Sequence, residues 1–249
     1  MNNAVRSSSS VASRNALTWY AVRGANRTRR ADSGGRRMAS LLFSTTAETK
    51  PLKRALDIAG AVAGIVLFGP LMLVIAALVA ANGGKVLFAH KRIGRGGRTF
   101  RCLKFRTMVP DAQTRLSALL ASDPEARAEW ERDHKLRRDP RTTAFGAFLR
   151  TTRLDELPQF FNVLKGDMSL VGPRPIATDE IKKYGDKFAL YTKCRPGITG
   201  AWRVSGRNDV SYETRVALDA HYSLNQSLRY DFIILMQTFG VVLAKTGAR

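Results

Sequence analysis

Polar and apolar positions are distributed unevenly along the chain. From Ile58 to Ala81, 24 consecutive residues carry no charge and are almost wholly apolar. A helix of that length extends about 36 Å at ~1.5 Å per residue, enough to cross a hydrocarbon layer of roughly 30 Å. A simple span is one reading. The other is a re-entrant helical hairpin over 50–84, because Gly69-Pro70 divides the run into two arms of eleven residues, and proline removes a helical hydrogen bond and clashes with the preceding turn. The flanks favour the hairpin. Lys50, Lys53 and Arg54 precede the run, and Lys85, Lys91, Arg92, Arg95 and Arg98 follow it, a bias that holds both ends on the cytoplasmic side.

Beyond Asn82-Gly83-Gly84 the pattern shortens. Two short runs, 85–93 and 99–106, flank Gly94-Arg95-Gly96-Gly97 and predict a β-hairpin. Those glycines lack the GxGxxG-then-helix arrangement of a dinucleotide site. Residues 111–120 and 124–136 predict helices with polar faces, the second capped by Asp123 and opened by Pro124. Pro158 opens a further helix, with Phe160, Phe161, Val163 and Leu164 on one face and Gly166 as its left-handed end. The stretch 232–244 is apolar except for Gln237, Thr238 and Gly240. It is too short for a span and predicts a helix in the membrane interface or packed on the core.

Residues 1–49 are rich in Ser and Arg and contain no apolar run longer than four residues. They predict a disordered basic tail. Its composition fits an arm at an anionic membrane surface and, more loosely, an organellar transit peptide, but no apolar core follows a basic start as in a secretory signal. The fold class expected is α+β: a small domain of helices with a short β-hairpin over 85–249, anchored by the Gly-Pro-broken re-entrant helix and by interfacial helices.

Composition narrows the functional classes. The 249 residues include 41 Lys+Arg against 20 Asp+Glu, for a net charge of +21, and 45% hydrophobic residues, which excludes a disordered polyelectrolyte. Eight arginines and two acids precede Lys50, so the remainder is basic as well. Such a chain is drawn to polyanions, and charge alone leaves nucleic acid, anionic lipid and phosphorylated substrates open. Cys102 and Cys194 make no disulfide framework or zinc spacing. His90, His134 and His221 are isolated, which argues against a histidine metal site.

The strongest chemical signal is Leu149-Arg150-Thr151-Thr152-Arg153-Leu154-Asp155-Glu156-Leu157-Pro158-Gln159. Adjacent carboxylates lie between an arginine pair and a proline-started helix, where the helix dipole, Arg150 and Arg153 would favour their ionised forms. Ordinary helix capping is the alternative. In Gly172-Pro173-Arg174-Pro175 an arginine between two prolines has few backbone options, which holds its guanidinium out as a fork for phosphate oxygens. Lys104 and Arg106, in Lys104-Phe105-Arg106-Thr107-Met108, alternate with apolar neighbours at strand period and would share one face. Carboxylates ringed by cations beside a membrane segment suggest phosphate chemistry at the interface.

With these motifs the chain, from Lys53 to about Ala244, resembles the bacterial sugar transferase family, the monotopic polyprenyl-phosphate phosphoglycosyl transferases. It looks most like the undecaprenyl-phosphate galactose phosphotransferases of exopolysaccharide assembly. Arg195-Pro196-Gly197-Ile198-Thr199-Gly200 and Ser205-Gly206-Arg207-Asn208-Asp209 also match family motifs. The resemblance implies transfer of a sugar 1-phosphate, of galactose or else glucose, from a UDP-sugar to undecaprenyl phosphate in the bacterial inner membrane, with release of UMP. By the same resemblance Asp155 is the nucleophile, Glu156 helps to hold Mg²⁺, and Lys104, Arg106, Arg150 and Arg174 bind phosphate or nucleotide. Downstream glycosyltransferases would be partners, and nucleic acid would not. Two departures stand out: Gln226 where relatives carry Trp, and a Gly247-Ala248-Arg249 end without an aromatic residue. The chain also lacks the amino-terminal membrane spans of larger members, so it reads as a compact catalytic module with a tail. The competing classes are a nucleic-acid-binding protein, which leaves Ile58 to Ala81 unexplained, a non-catalytic polybasic membrane adaptor, and a transferase for an N-acetylated UDP-sugar.

Deleting residues 2–45 removes eight arginines and one acid, each basic residue near an anionic surface contributing up to ~1 kcal/mol. The truncated protein should bind anionic vesicles more weakly yet release UMP at the wild-type rate in detergent; abolished release in detergent would contradict this reading of the tail.

Overall fold

A computed structural model describes residues 49–133, 136, 139–205 and 211–243. The basic tail, residues 206–209 of the Ser205–Asp209 motif and the C-terminal Gly247-Ala248-Arg249 lie outside the described residues. In chain order the elements are α1 (Thr49–Ala81), β1 (Leu87–Ile93), β2 (Thr99–Phe105), α2 (Ala112–Ser122), α3 (Pro124–Asp133), α4 (Ala144–Thr152), α5 (Gln159–Lys165), β3 (Ser169–Val171), α6 (Ile181–Tyr184), α7 (Phe188–Tyr191), β4 (Gly197–Thr199), α8 (Ala201–Val204), α9 (Tyr212–Asn225) and α10 (Leu228–Leu243). The mixture is α+β.

Helix α1 contains the long apolar run, and Pro51–Ala81 is long and apolar enough to cross a membrane. Only 22% of its most apolar window is buried among the described residues. Val66, Leu67 and Leu73 are among its exposed apolar side chains. The expected interruption at Gly69-Pro70 takes a different form: the helix continues through Pro70. What proline removes is the N–H that would meet the Val66 carbonyl, a loss that a helix held by its other hydrogen bonds tolerates.

The predicted hairpin forms, with β1 beside β2. Its connection carries positive φ at Gly96 (68°) and Gly97 (74°), a backbone state that glycine adopts without steric cost. Asp123 caps α3 as expected, its Oδ1 accepting from the Glu125 and Ala126 N–H groups at 2.9 and 3.0 Å.

Two compact units divide the chain without following its linear order. One comprises the described residues up to Ala61, within 91–100 and from Asn162 onward. Here β3 and β4 pair in parallel, Ser169 opposite Gly197 and Val171 opposite Thr199. This sheet was not expected, because three-residue strands are too short to show a period. Its core contains Val171, Cys194, Ala201, Leu218, Tyr222 and Ile234, and a neighbouring cluster joins Ile93, Ile176, Tyr184, Tyr191 and Val216. On α10, Ile234 is buried while Phe232, Met236 and Phe239 are exposed, the amphipathic arrangement expected of an interfacial helix.

A buried polar network fixes the start of α1 in this unit. Lys53 Nζ lies 3.0 Å from Asp57 and 2.9 Å from Asp231 of α10. Asp57 also accepts from the Ser169 hydroxyl and the Leu170 N–H, both at 3.0 Å. Asp231 accepts from the Tyr222 hydroxyl at 2.6 Å. Nearby, Asp219 is buried and accepts from the Tyr184 hydroxyl at 2.7 Å and the Arg174 N–H at 3.3 Å. Burial pushes the Asp219 carboxyl up to about 7, against the pull of those hydrogen bonds.

The second unit comprises Val62–His90 and Arg101–Phe161 among the described residues. Met72, Ile75 and Val79 of α1 pack here with Phe105 and Leu149. Gly64 admits the ring of Phe160: a Cβ at that position would lie 2.7 Å from two of its carbons.

Two stability predictions follow from the buried charges. Lys53→Met leaves two buried carboxylates without their cation, and breaking a buried pair by removing one partner costs about 3–5 kcal/mol; a much lowered thermal midpoint in detergent is expected, and an unchanged one would sink the network's structural role. Asp219 binds its proton more tightly folded than unfolded, so its contribution to stability declines as pH rises from about 3.8 to about 7. Denaturation across that range should show Asp219→Asn gaining stability relative to the parent with rising pH; a constant difference would refute the assignment.

Candidate active site

Helix α4 begins where the Thr143 hydroxyl accepts from the Gly146 N–H at 2.9 Å. It ends at Arg153, which adopts φ 61°, the only positive φ of a non-glycine among the described residues. A left-handed residue with a Cβ costs roughly 1–2 kcal/mol, and such strain persists where the surrounding structure holds it. This turn leads directly into a 3-10 turn, Leu154–Glu156, that carries the two carboxylates. They stand one turn ahead of α5, which starts at Gln159 and closes at Gly166 (φ 96°).

Asp155 is buried and Glu156 is partly so. Both meet one cation: Lys104 Nζ of β2 lies 2.9 Å from Glu156 Oε1 and 3.5 Å from Asp155 Oδ2. Burial opposes the charge on Lys104, but the two carboxylates outweigh it and raise the ammonium pKa. Asp155 moves the other way from expectation. Burial raises its pKa, the nearby Glu156 adds to the rise, and the positive charges of Lys104 and Arg150 compensate only in part. Desolvation of the charged form therefore outweighs the stabilisation that the arginine-rich sequence suggested.

The remaining expected cations lie elsewhere. Arg150 Nε donates to the Thr107 hydroxyl at 2.9 Å and its Nη1 to the Thr142 hydroxyl at 3.2 Å, so the loop after β2 holds it. Arg106 donates to the Val79 carbonyl at 3.0 Å, closing the C-terminal end of α1 instead of joining Lys104 on the carboxylates. Arg174 belongs to the other compact unit. Its guanidinium is paired with Glu180 Oε1 at 3.2 Å. The same carboxylate accepts from Arg92 Nη1 at 3.1 Å, the Ala177 N–H at 2.8 Å and the Tyr212 hydroxyl at 3.3 Å. Sequence reasoning passed over Glu180; its one local signal is its place at the third position of the turn that Ala177 opens, where a Glu side chain reaches back to a free N–H.

Among the described residues no three His, Cys, Asp or Glu side chains gather at metal-holding distance. Mg²⁺ does not need three, because it commonly takes one or two carboxylates and completes its shell with water and substrate phosphates. Asp155 and Glu156 share an ammonium in the position of a small cation, so the donor set fits that ion.

Comparison with known proteins supports the family reading. Residues 48–245 match the family described as bacterial sugar transferase. An uncharacterized sugar transferase of Haemophilus influenzae and an undecaprenyl-phosphate galactose phosphotransferase of Salmonella typhimurium are each 53% identical over 197 residues. Those matches cover 79% of this chain but 42% and 41% of the relatives, so the chain spans less than half of their length. Exopolysaccharide production protein ExoY of Rhizobium meliloti is 46% identical over 79% of this chain and 87% of its own length.

Proposed function

Because the chain belongs to the bacterial sugar transferase family, we propose that it transfers a sugar 1-phosphate from a UDP-sugar to undecaprenyl phosphate and releases UMP. The observation that carries this reading is the buried Asp155, adjacent to Glu156 and held with it on the single Lys104 ammonium. Two relatives carry names that speak of undecaprenyl-phosphate galactose transfer and of exopolysaccharide production, which favours UDP-galactose as donor, with UDP-glucose next. The lipid-linked product would pass to downstream glycosyltransferases.

In the first step the Asp155 carboxylate attacks the β-phosphorus, forming an acyl phosphate, while the bond from that phosphorus to the bridging oxygen breaks and UMP departs. In the second step the phosphate oxygen of undecaprenyl phosphate attacks the same phosphorus and the aspartate leaves. Lys104 steadies both carboxylates and offsets the approach of a diphosphate to an anionic nucleophile. Glu156 would hold Mg²⁺, which when bound supplies charge neutralisation on the phosphate oxygens.

The exposed apolar surface of α1 suits it to lipid. Basic residues at both ends favour a cytoplasmic-face, re-entrant path in the inner membrane, achieved by a bend within the continuous helix at Pro70, where the ladder lacks one bond. A polyprenyl phosphate presents its headgroup at the same depth.

The test is covalent labelling. Protein mixed with a UDP-sugar labelled in the sugar should become labelled without any lipid acceptor, and initial rates should be ping-pong. Asp155→Asn preserves size while removing the attacking charge, so a folded variant should lose label and at least 10³-fold in turnover, roughly the range seen when a nucleophile is removed. Glu156→Gln should raise the Mg²⁺ requirement. Near-wild-type turnover by folded Asp155→Asn would leave direct transfer between the substrates as the mechanism.

A further inference from the structure

Arg92 belongs to the basic flank of the apolar run, and Arg174 to the Pro-Arg-Pro loop; both rest on Glu180 in one compact unit. Each guanidinium uses one Nη1 on this carboxylate, at 3.1 and 3.2 Å. A guanidinium carries five N–H donors in a fixed fork, so among the described residues most of each fork is left for another acceptor. Glu180 is itself firmly seated: its side chain is 16% exposed, and it accepts from the Ala177 N–H and the Tyr212 hydroxyl as well. A third arginine adjoins the group. Arg215 lies over the Tyr212 ring at 5.5 Å, and its buried Nε meets no hydrogen-bond acceptor among the described residues. Lys183 lies over the same ring at 4.9 Å. Asp219 takes the Arg174 main-chain N–H and the Tyr184 hydroxyl. The cluster therefore gathers four cationic side chains around one partly exposed carboxylate.

We propose that Glu180 is a positioning residue which, with Tyr212, holds Arg92 and Arg174 side by side as a cradle for a phosphoryl group of the substrate. Two long flexible side chains each lose up to ~2 kcal/mol of rotamer freedom when fixed, and a shared carboxylate fixes both before the ligand arrives. Glu180 and Asp219 together bring at most two negative charges among four positive ones, which leaves the group cationic for an incoming anion. This assignment rests on the phosphoglycosyl-transfer reading, and the phosphoryl group can come from the nucleotide donor or from the polyprenyl phosphate. The two share the chemistry that the cradle recognises.

The experiment uses the full chain in detergent with UDP-galactose and undecaprenyl phosphate, each varied in turn. Glu180→Ala should raise KM for one of the two about tenfold, the loss expected when a charged hydrogen-bonding partner is removed, with kcat within about twofold; which KM rises identifies the source. Glu180→Asp should recover much of the loss. Arg92→Gln should raise the same KM, and the double variant should be no worse than the poorer single one. Unchanged or lowered KM values for both substrates would overturn the proposal, as would a uniform fall in kcat with both KM values intact. Should Glu180→Ala not fold, Glu180→Gln, which retains an acceptor for Ala177 and Tyr212, should show the same split. A second readout needs no turnover: inorganic pyrophosphate should raise the thermal midpoint of the wild type and do so only at about tenfold higher concentration for the Glu180 and Arg92 variants. Glu180-dependent protection by pyrophosphate in a protein that releases no UMP would uphold the cradle and reject the transfer reading; UMP release with Glu180-independent protection and kinetics would do the reverse.

Discussion

The start of α1 depends on an ammonium held between two buried carboxylates. Lys53 sits 3.0 Å from Asp57 and 2.9 Å from Asp231, and isolated charges at such depth would each carry a desolvation penalty of several kcal/mol. They become tolerable only together, and only if the remaining lone pairs are met. Ser169 and Leu170 meet Asp57 Oδ1 and Tyr222 meets Asp231 Oδ1. These partners come from β3, α9 and α10, so the network allows one register of α1 against them: a shift of one residue would turn Lys53 by about 100° on a helix of 3.6 residues per turn and strand both acids. An apolar helix packs with little directional preference, and this triad supplies the direction.

Part of the positive charge that first suggested a polyanion partner is consumed inside the fold. Arg54 donates to the Val163 and Leu164 carbonyls at 2.7 and 2.9 Å, Arg195 to the Gly166 carbonyl at 2.8 Å, and Arg106 to the Val79 carbonyl at 3.0 Å. The last four carbonyls of a helix have no partner within it. Arginine side chains from elsewhere in the chain provide partners at the ends of α5 and α1. Net charge thus overstates how many cations face a ligand.

Features that rest on local chemistry were legible in the sequence. The apolar run, the glycine-turned hairpin, the Asp123 cap and the Gly166 stop each follow from neighbours within a few residues, and the association of Lys104 with the carboxylate pair was anticipated by charge. Features that rest on distant partners were not. The pairing of Ser169–Val171 with Gly197–Thr199 needs a close approach that only glycine permits, since a Cβ on Gly197 would lie 2.1 Å from the Gly172 nitrogen. Nothing local in a three-residue strand announces that. Arg106 and Arg174 were assigned by residue type, and their acceptors, Val79 and Glu180, follow from where the chain places a helix end and a turn. Pro70 marks a missing hydrogen bond without saying whether the helix stops or continues.

The carboxylate pair shows why the burial that a motif cannot report controls its chemistry. In water an aspartate is ionised but strongly hydrated, and it must shed that water to reach phosphorus. Asp155 has already lost most of it on folding, as the upward push on its pKa records. That push is opposed by Lys104, whose own proton is secured by the same two acids. An arginine directly on Asp155 would hold the anion more firmly and blunt the proposed attack. Arg150 is instead turned onto Thr107 and Thr142, contributing field without a hydrogen bond to the proposed nucleophile. The left-handed Arg153 produces this arrangement by ending α4 abruptly and delivering Asp155 inward. Strain at one backbone position is therefore linked to the exposure, the charge and the reactivity of the residue two places on.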